Sequence, residues 1–131
     1  MGLRRVVVTG LGALTPIGNT VSDYWNGLIA GNSGAAPITY FDASLFKTQF
    51  ACELKSFDPE NFMERKLSRK MDRFAQYAIV SSDEAILDSG LDLEKADMDR
   101  IGVIWGAGIG GLETFQNEVL SFASGNGTPR F

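Results

Sequence analysis

The run Ile101–Trp105 leads directly into Gly106, Gly108 and Gly111, and then into Leu112, Phe115, Val119 and Phe122 at helical spacing. An apolar strand, a glycine turn and a helix in that order constrain the fold more than any other feature of the chain. The same order opens the sequence. Arg4-Arg5-Val6-Val7-Val8-Thr9 is β-branched and apolar on both faces, as in strands of a sheet covered on both sides. The loop Gly10–Asn19 follows, punctuated by Gly10, Gly12, Pro16 and Gly18. Val21, Tyr24, Trp25, Leu28 and Ile29 then repeat at i, i+3, i+4, i+7 and i+8, an amphipathic helix ended by Gly31. Thr20 is placed to cap it, with Asp23 three residues on as the weaker capping-box partner.

Between these units, residues 31–63 are irregular. A short strand is expected around Phe50–Leu54, and Asp58-Pro59-Glu60 has cap, proline and acid in helix-start order. A longer helix is expected from about Ser68 to Ser89, with Met71, Phe74, Ala75, Ala78, Ser82, Ala85 and Ile86 on one face and Gly90 as its stop. The last helix runs from about Gly111 to Ser124, stopped by Gly125 and Gly127. Strands alternating with helices indicate an α/β fold with a parallel sheet. Two good strands make a poor sheet for three helices, so residues 1–131 read as part of a larger domain.

Composition narrows the chemistry. At 44% hydrophobic and 21% charged residues the chain is ordinary for a globular protein, and 131 residues suit one domain. A net charge of −4 gives no global attraction to nucleic acid or an anionic membrane, and no apolar run is long enough to span a bilayer. Arg4 and Arg5 before an apolar run loosely match a signal peptide, but the run breaks at Gly10 and meets Pro16, which favours a buried strand and a cytoplasmic setting. Cys52 is the single cysteine, so no internal disulfide forms, and there is no histidine. Ser-His and Cys-His catalysis and histidine-ligated metals are thereby excluded within these residues.

The glycine loops leave two readings open. Gly106, Gly108 and Gly111 fit the dinucleotide fingerprint G-x-G-x-x-G, but that motif needs a following strand ending in an acid to hold the ribose. No acid follows Glu118, and the loop also carries Gly110 and the bulky Ile109. The first loop fails the spacing at Thr15. Alternatively, the glycines turn a strand into a helix and let backbones approach closely.

RRVVVTGLGALTPIGNT, FDAS, MDRFAQYA and RIGVIWGAGIGGLETF together resemble the N-terminal part of the β-ketoacyl-acyl-carrier-protein synthases, elongating condensing enzymes of fatty acid synthesis. The resemblance is collinear from Arg4 to Arg130. It implies a thiolase-like fold of layered α-β-α-β-α type, of which this chain is the first part of the N-terminal half. It also implies a decarboxylative Claisen condensation. A cysteine takes an acyl chain from its carrier protein, and two histidines assist decarboxylation of malonyl carrier protein, whose carbanion attacks the acyl thioester. In the family all three groups lie beyond the matched segment, so no catalytic residue is expected here. Cys52 matches no nucleophile position and is expected to be a buried structural residue. The mechanism requires no metal, nucleotide or other cofactor. The implied partners are acyl carrier protein, acyl and malonyl thioesters, and a second copy of the parent enzyme, with no nucleic acid or membrane.

The resemblance places two functional sites in the chain. Gly108 and Ile109 border the far end of the acyl tunnel, where glycine leaves room for an alkyl chain and Ile109 gates it; the alternative is a core isoleucine. Lys66, Arg69 and Lys70 match carrier-protein docking positions, as does Arg130. Arg65, Lys66, Arg69, Lys70 and Arg73 would span a roughly 140° arc of one helix, clear of its apolar face. If Ser68 caps that helix, Arg69 and Lys70 occupy its first turn, where cations oppose the macrodipole by about 0.3–1 kcal/mol each. Such a cost without an internal partner points to an external one. Asp83, Glu84 and Asp88 are expected to be solvated, as are Asp92, Glu94, Asp97 and Asp99 in a polar connector. A non-catalytic chain-length factor and a nucleotide-binding module are the rival classes. A cysteine followed by two histidines downstream distinguishes an enzyme from both.

Overall fold

The computed structural model describes residues 2–125, Gly127 and Thr128. Helices dominate. Helix α1 spans Val21–Ile29, and Thr20 caps it through its side chain, which accepts from the Asp23 N–H at 3.1 Å. The two-residue strands β1 (Ala36–Pro37) and β2 (Phe50–Ala51) pair antiparallel, Ala36 opposite Ala51 and Pro37 opposite Phe50. Ile38 N–H extends this contact to the Gln49 carbonyl at 3.0 Å. A 3₁₀ turn at Pro59–Asn61 starts from Asp58, whose carboxylate accepts from the Glu60 N–H at 2.9 Å. The short helix α2 (Arg65–Ser68), the long helix α3 (Arg73–Ser89) and helix α4 (Leu112–Ser124) follow.

Three expectations are corrected. First, neither 4–9 nor 101–105 forms a strand among the described residues. Val6, Val8, Val103 and Ile104 are highly exposed, and no ladder satisfies these segments. A strand's hydrogen bonds come from its neighbours, so an apolar run without one has the composition of a strand but not the structure. Second, the expected strand over Phe50–Leu54 shortens to Phe50–Ala51, because the Glu53 carboxylate turns to Thr39, accepting from its hydroxyl at 2.7 Å and from its N–H. Third, the long helix starts at Arg73 rather than Ser68. The Ser68 hydroxyl donates to the Arg65 carbonyl at 3.0 Å, which ends α2 instead of capping α3.

α3 is the central pillar. The loop after residue 9 lies along it so closely that a side chain at Gly10 or Gly12 would collide with the Ala85 or Ser81 carbonyl. Close backbone packing is therefore what these glycines serve. Glu84 and Asp88, expected to be solvated, hold that loop. Glu84 accepts from the N–H groups of Ala13 and Val21, each at 2.8 Å, and Asp88 from that of Leu11 at 2.9 Å. Asp83 is exposed, as expected. Toward the N-terminal end of the same face of α3, Phe57 stacks on Phe62 and meets Tyr77 edge-on, with centroids 5.8 and 5.1 Å apart. The buried α3 residues are Gln76 and Val80, nearly opposite the face expected from periodicity.

Candidate functional site: a basic turn and a glycine loop

The structure sorts the five cations into paired and free. Arg65 Nε lies 3.1 Å from a Glu60 carboxylate oxygen. Arg73 reaches Glu113 at 3.6 Å and sits 4.4 Å from the centre of the Tyr40 ring. Burial acts to lower the Arg73 guanidinium pKa, but a hydrogen bond with Tyr77 and the charges of Tyr40, Tyr77 and Glu113 together outweigh it and leave the group raised. Burial also pushes the Tyr77 phenol up, with Tyr40 adding to the effect. Lys66, Arg69 and Lys70 are exposed, and no ion pair among the described residues engages them. Arg130 lies outside the described residues.

The helix break changes the electrostatic argument. Arg69 is the C-terminal cap of α2, and Lys70 follows it, so neither occupies the first turn of α3. Near a helix C-terminus a cation is favourable, and the expected macrodipole penalty is absent. What sets Lys66, Arg69 and Lys70 apart is instead that three exposed cations, none in an ion pair among the described residues, cluster within residues 66–70 beside two paired arginines. A cavity of about 490 Å³ lies elsewhere, near Pro16 and Lys55, whereas one of about 340 Å³ is lined by Ser68, Arg69, Asp72, Arg73, Gln76 and Thr114.

The glycine loop has an open half and an anchored half. Nothing lies within 4 Å of where a Cβ would stand on Gly106 or Gly108, and Ile109 is 78% exposed. Ile109 is thus not a core residue of this chain. At Gly110 a Cβ would press on the Phe74 ring, and Gly111, with φ +67°, would press its Cβ against the Asp72 carboxylate. That left-handed φ and close approach call for glycine. Asp72 also accepts from the Thr114 hydroxyl, tying the start of α3 to the start of α4. Asp72, which follows the basic turn, and the anchored half of the loop therefore meet.

Cys52 is exposed, on the wall of an apolar groove with Leu14, Pro16, Ile38 and Leu54. This corrects its expected burial: with β2 ending at Ala51, the residue emerges from the two-residue strand pair. Sequence reasoning missed Gln76, Asp72 and Glu84 as organising residues. Gln76 did carry a signal, as the one amide in the apolar stretch Phe74–Val80.

Comparison with known proteins agrees with these features. Residues 3–129 match the family model described as Beta-ketoacyl synthase, N-terminal domain. The chain is 50% identical over 115 residues to the 3-oxoacyl-(acyl-carrier-protein) synthase 2 of Synechocystis sp., covering 88% of this chain and 28% of that protein. Over 116 residues it is 50% identical to the synthase of the same name from Vibrio cholerae, again 88% and 28%. The chain thus spans little more than a quarter of the length of these relatives. Among solved structures, the ishigamide ketosynthase/chain length factor superposes with a TM-score of 0.76 at 33% identity, over 94% of this chain and 30% of that one. A β-ketoacyl synthase from Burkholderia phymatum gives 0.74 at 28% identity, over 96% and 31%. A type II PKS acyl-carrier protein in complex with its ketosynthase gives 0.70 at 28% identity, over 94% and 33%. The fold is of the α/β ketosynthase class, and the chain belongs to the β-ketoacyl synthase family, matching its N-terminal domain.

Proposed function

We propose that residues 1–131 are the N-terminal portion of a fatty-acid-elongating condensing enzyme and contribute its carrier-protein docking turn and one wall of its acyl pocket. The observation that carries the docking role is the exposed, unpaired set Lys66, Arg69 and Lys70 beside the paired Arg65 and Arg73. Three free cations on a chain of net charge −4 form a local patch suited to an acidic partner. Acyl carrier proteins are acidic, and one solved relative is a ketosynthase complexed with its acyl-carrier protein. The parent reaction is a decarboxylative Claisen condensation carried out by a cysteine and two histidines outside these residues. Forming an acyl-enzyme first divides one difficult step into two easier ones. A cytoplasmic, homodimeric parent enzyme fits this reading.

Charge reversal tests the docking. In the full-length synthase, Arg69→Glu with Lys70→Glu weakens acyl-carrier-protein binding, chiefly through the association rate, and flattens its salt dependence. Affinity unchanged at low salt overturns the proposal. Stability falls only slightly, since both groups are exposed and a cation is modestly favourable at the end of α2.

The likeness to a ketosynthase/chain length factor supports a second reading, a non-catalytic partner subunit with the same fold. Acylation of a downstream cysteine by an acyl carrier protein, read by mass spectrometry, separates the two. An acylated protein is the enzyme, and one that takes no acyl group is the partner subunit.

A further inference from the structure

Arg69 and Lys70 form the tip of a four-residue turn. The Met71 N–H donates to the Ser68 carbonyl at 3.3 Å, so Ser68 and Met71 are the turn's ends. On the α2 side backbone bonds hold the tip, Arg69 N–H to the Arg65 carbonyl at 3.2 Å and Lys70 N–H to the Leu67 carbonyl at 3.0 Å, while the Met71 bond that closes it toward α3 is long. A second group holds it from beneath. Gln76, the fourth residue of α3, donates from Nε2 to the Ser68 carbonyl at 2.8 Å and to the Met71 carbonyl at 3.2 Å. A carboxamide nitrogen has two N–H donors, and here each end of one turn takes one. Gln76 is 8% exposed and Ser68 4%, so the bond to Ser68 is buried and that to Met71 half-buried beneath a solvent-facing tip. An apolar side chain at position 76 would take its donor from the Met71 carbonyl and leave the Ser68 carbonyl with only the long Met71 N–H bond, and asparagine is one methylene shorter.

We infer that Gln76 is a positioning residue of the docking surface. Its carboxamide sets the Ser68–Met71 turn so that Arg69 and Lys70 are presented together to the acidic carrier protein. The inference rests on the docking role of Arg69 and Lys70 and extends it to a buried side chain that touches no partner. Lys and Arg side chains are flexible, so fixing the backbone beneath them lowers the ordering cost at the moment of contact. Losing that support widens the range of tip conformations while leaving the charges in place.

The test is a mutant cycle in the full-length synthase, using acyl-carrier protein as the titrant. Gln76→Leu raises its KM by roughly three- to tenfold and changes kcat much less, as expected for a surface that acts before the chemistry. Gln76→Glu keeps the volume but turns a carboxylate toward two carbonyls, and produces the same rise should Gln76→Leu fold poorly. In an Arg69→Glu/Lys70→Glu background, Gln76→Leu adds no further loss, because the residues act as one unit. A full additive loss in that background, an unmoved KM, or a fall in kcat alone overturns the inference. If charge reversal alone leaves carrier affinity intact, the docking role itself fails. If reversal weakens docking but neither Gln76 variant does, only the positioning role fails.

Discussion

Ile109 is a large apolar side chain on a loop flanked by open space, 78% exposed in this chain. A residue of that kind is made to be covered, and the acyl-pocket proposal covers it with an alkyl chain and the rest of the enzyme. On that proposal, replacing it with Phe in the full-length protein adds bulk where the distal carbons would pass. Overpacking costs typically about 1–3 kcal/mol, so acylation by long primers falls by roughly one to two decades while short primers still react. Mass-spectrometric acylation along a ladder of chain lengths reads this, and a uniform loss across the ladder refutes the gate. Glu53 offers a titration at the same scale. The Thr39 hydroxyl holds its carboxyl below the ordinary value, so the ionised form is favoured on folding. The resulting stabilisation is present above the unfolded carboxyl pKa and is lost as pH falls through the lower folded value. Thr39→Val removes the main cause and moves the Glu53 midpoint up in a carboxyl NMR titration. A midpoint that stays put shows that the hydroxyl is not responsible.

At the scale of elements, one carboxylate organises the first fifth of the chain. Glu84 joins the loop before α1 to α1's own first residue, accepting from the Ala13 and Val21 N–H groups. Glu84→Gln turns an amide toward two donors, so one N–H loses its acceptor. Hydrogen bonds to charged groups contribute about 1.5–3 kcal/mol each, and denaturant unfolding of the full-length protein is expected to show a loss in that range. A change near zero means that water replaces the carboxylate. Gly12→Ala is a stronger insult, since its Cβ would meet the Ser81 carbonyl. Carboxylates one helical turn apart are ordinarily solvated, and their sequence context contains no hint of donors 63 to 77 residues away.

As a whole molecule, the chain exposes far more surface than its mass warrants. A compact protein of 14.2 kDa exposes about 6,800 Å² by the area–mass relation, whereas this chain exposes 10993 Å². The excess of about 4,200 Å² on this one chain is more than the roughly 1,000–2,500 Å² per partner that most obligate interfaces bury. Ala43 and Val80 are the buried apolar residues, while Val6, Val8, Ile104, Trp105 and Phe115 face outward. The 131 residues alone are therefore expected to self-associate, bind a hydrophobic dye and catalyse no malonyl-dependent elongation. A monomeric, cooperatively unfolding chain on calorimetry and size-exclusion chromatography contradicts the first part, and product above a no-enzyme control contradicts the last. No helix among the described residues is long and apolar enough to cross a membrane.

What could be read from residue order was what is local in physics. The α1 boundaries, its Thr20 cap, the Asp58–Pro59 turn and the span of α4 follow from contacts within four residues. The four collinear motifs likewise needed no coordinates to point to the family. Contacts between distant residues set the remainder. Whether an apolar run becomes a strand depends on neighbouring strands, and 4–9 and 101–105 have none here. Ser68 and Gln76 place the break between α2 and α3, and with it the turn bearing Arg69 and Lys70. Helical periodicity continues smoothly across that break. The Ser68 and Met71 carbonyls at that break are satisfied by a side chain eight and five residues on, a match only the folded chain makes.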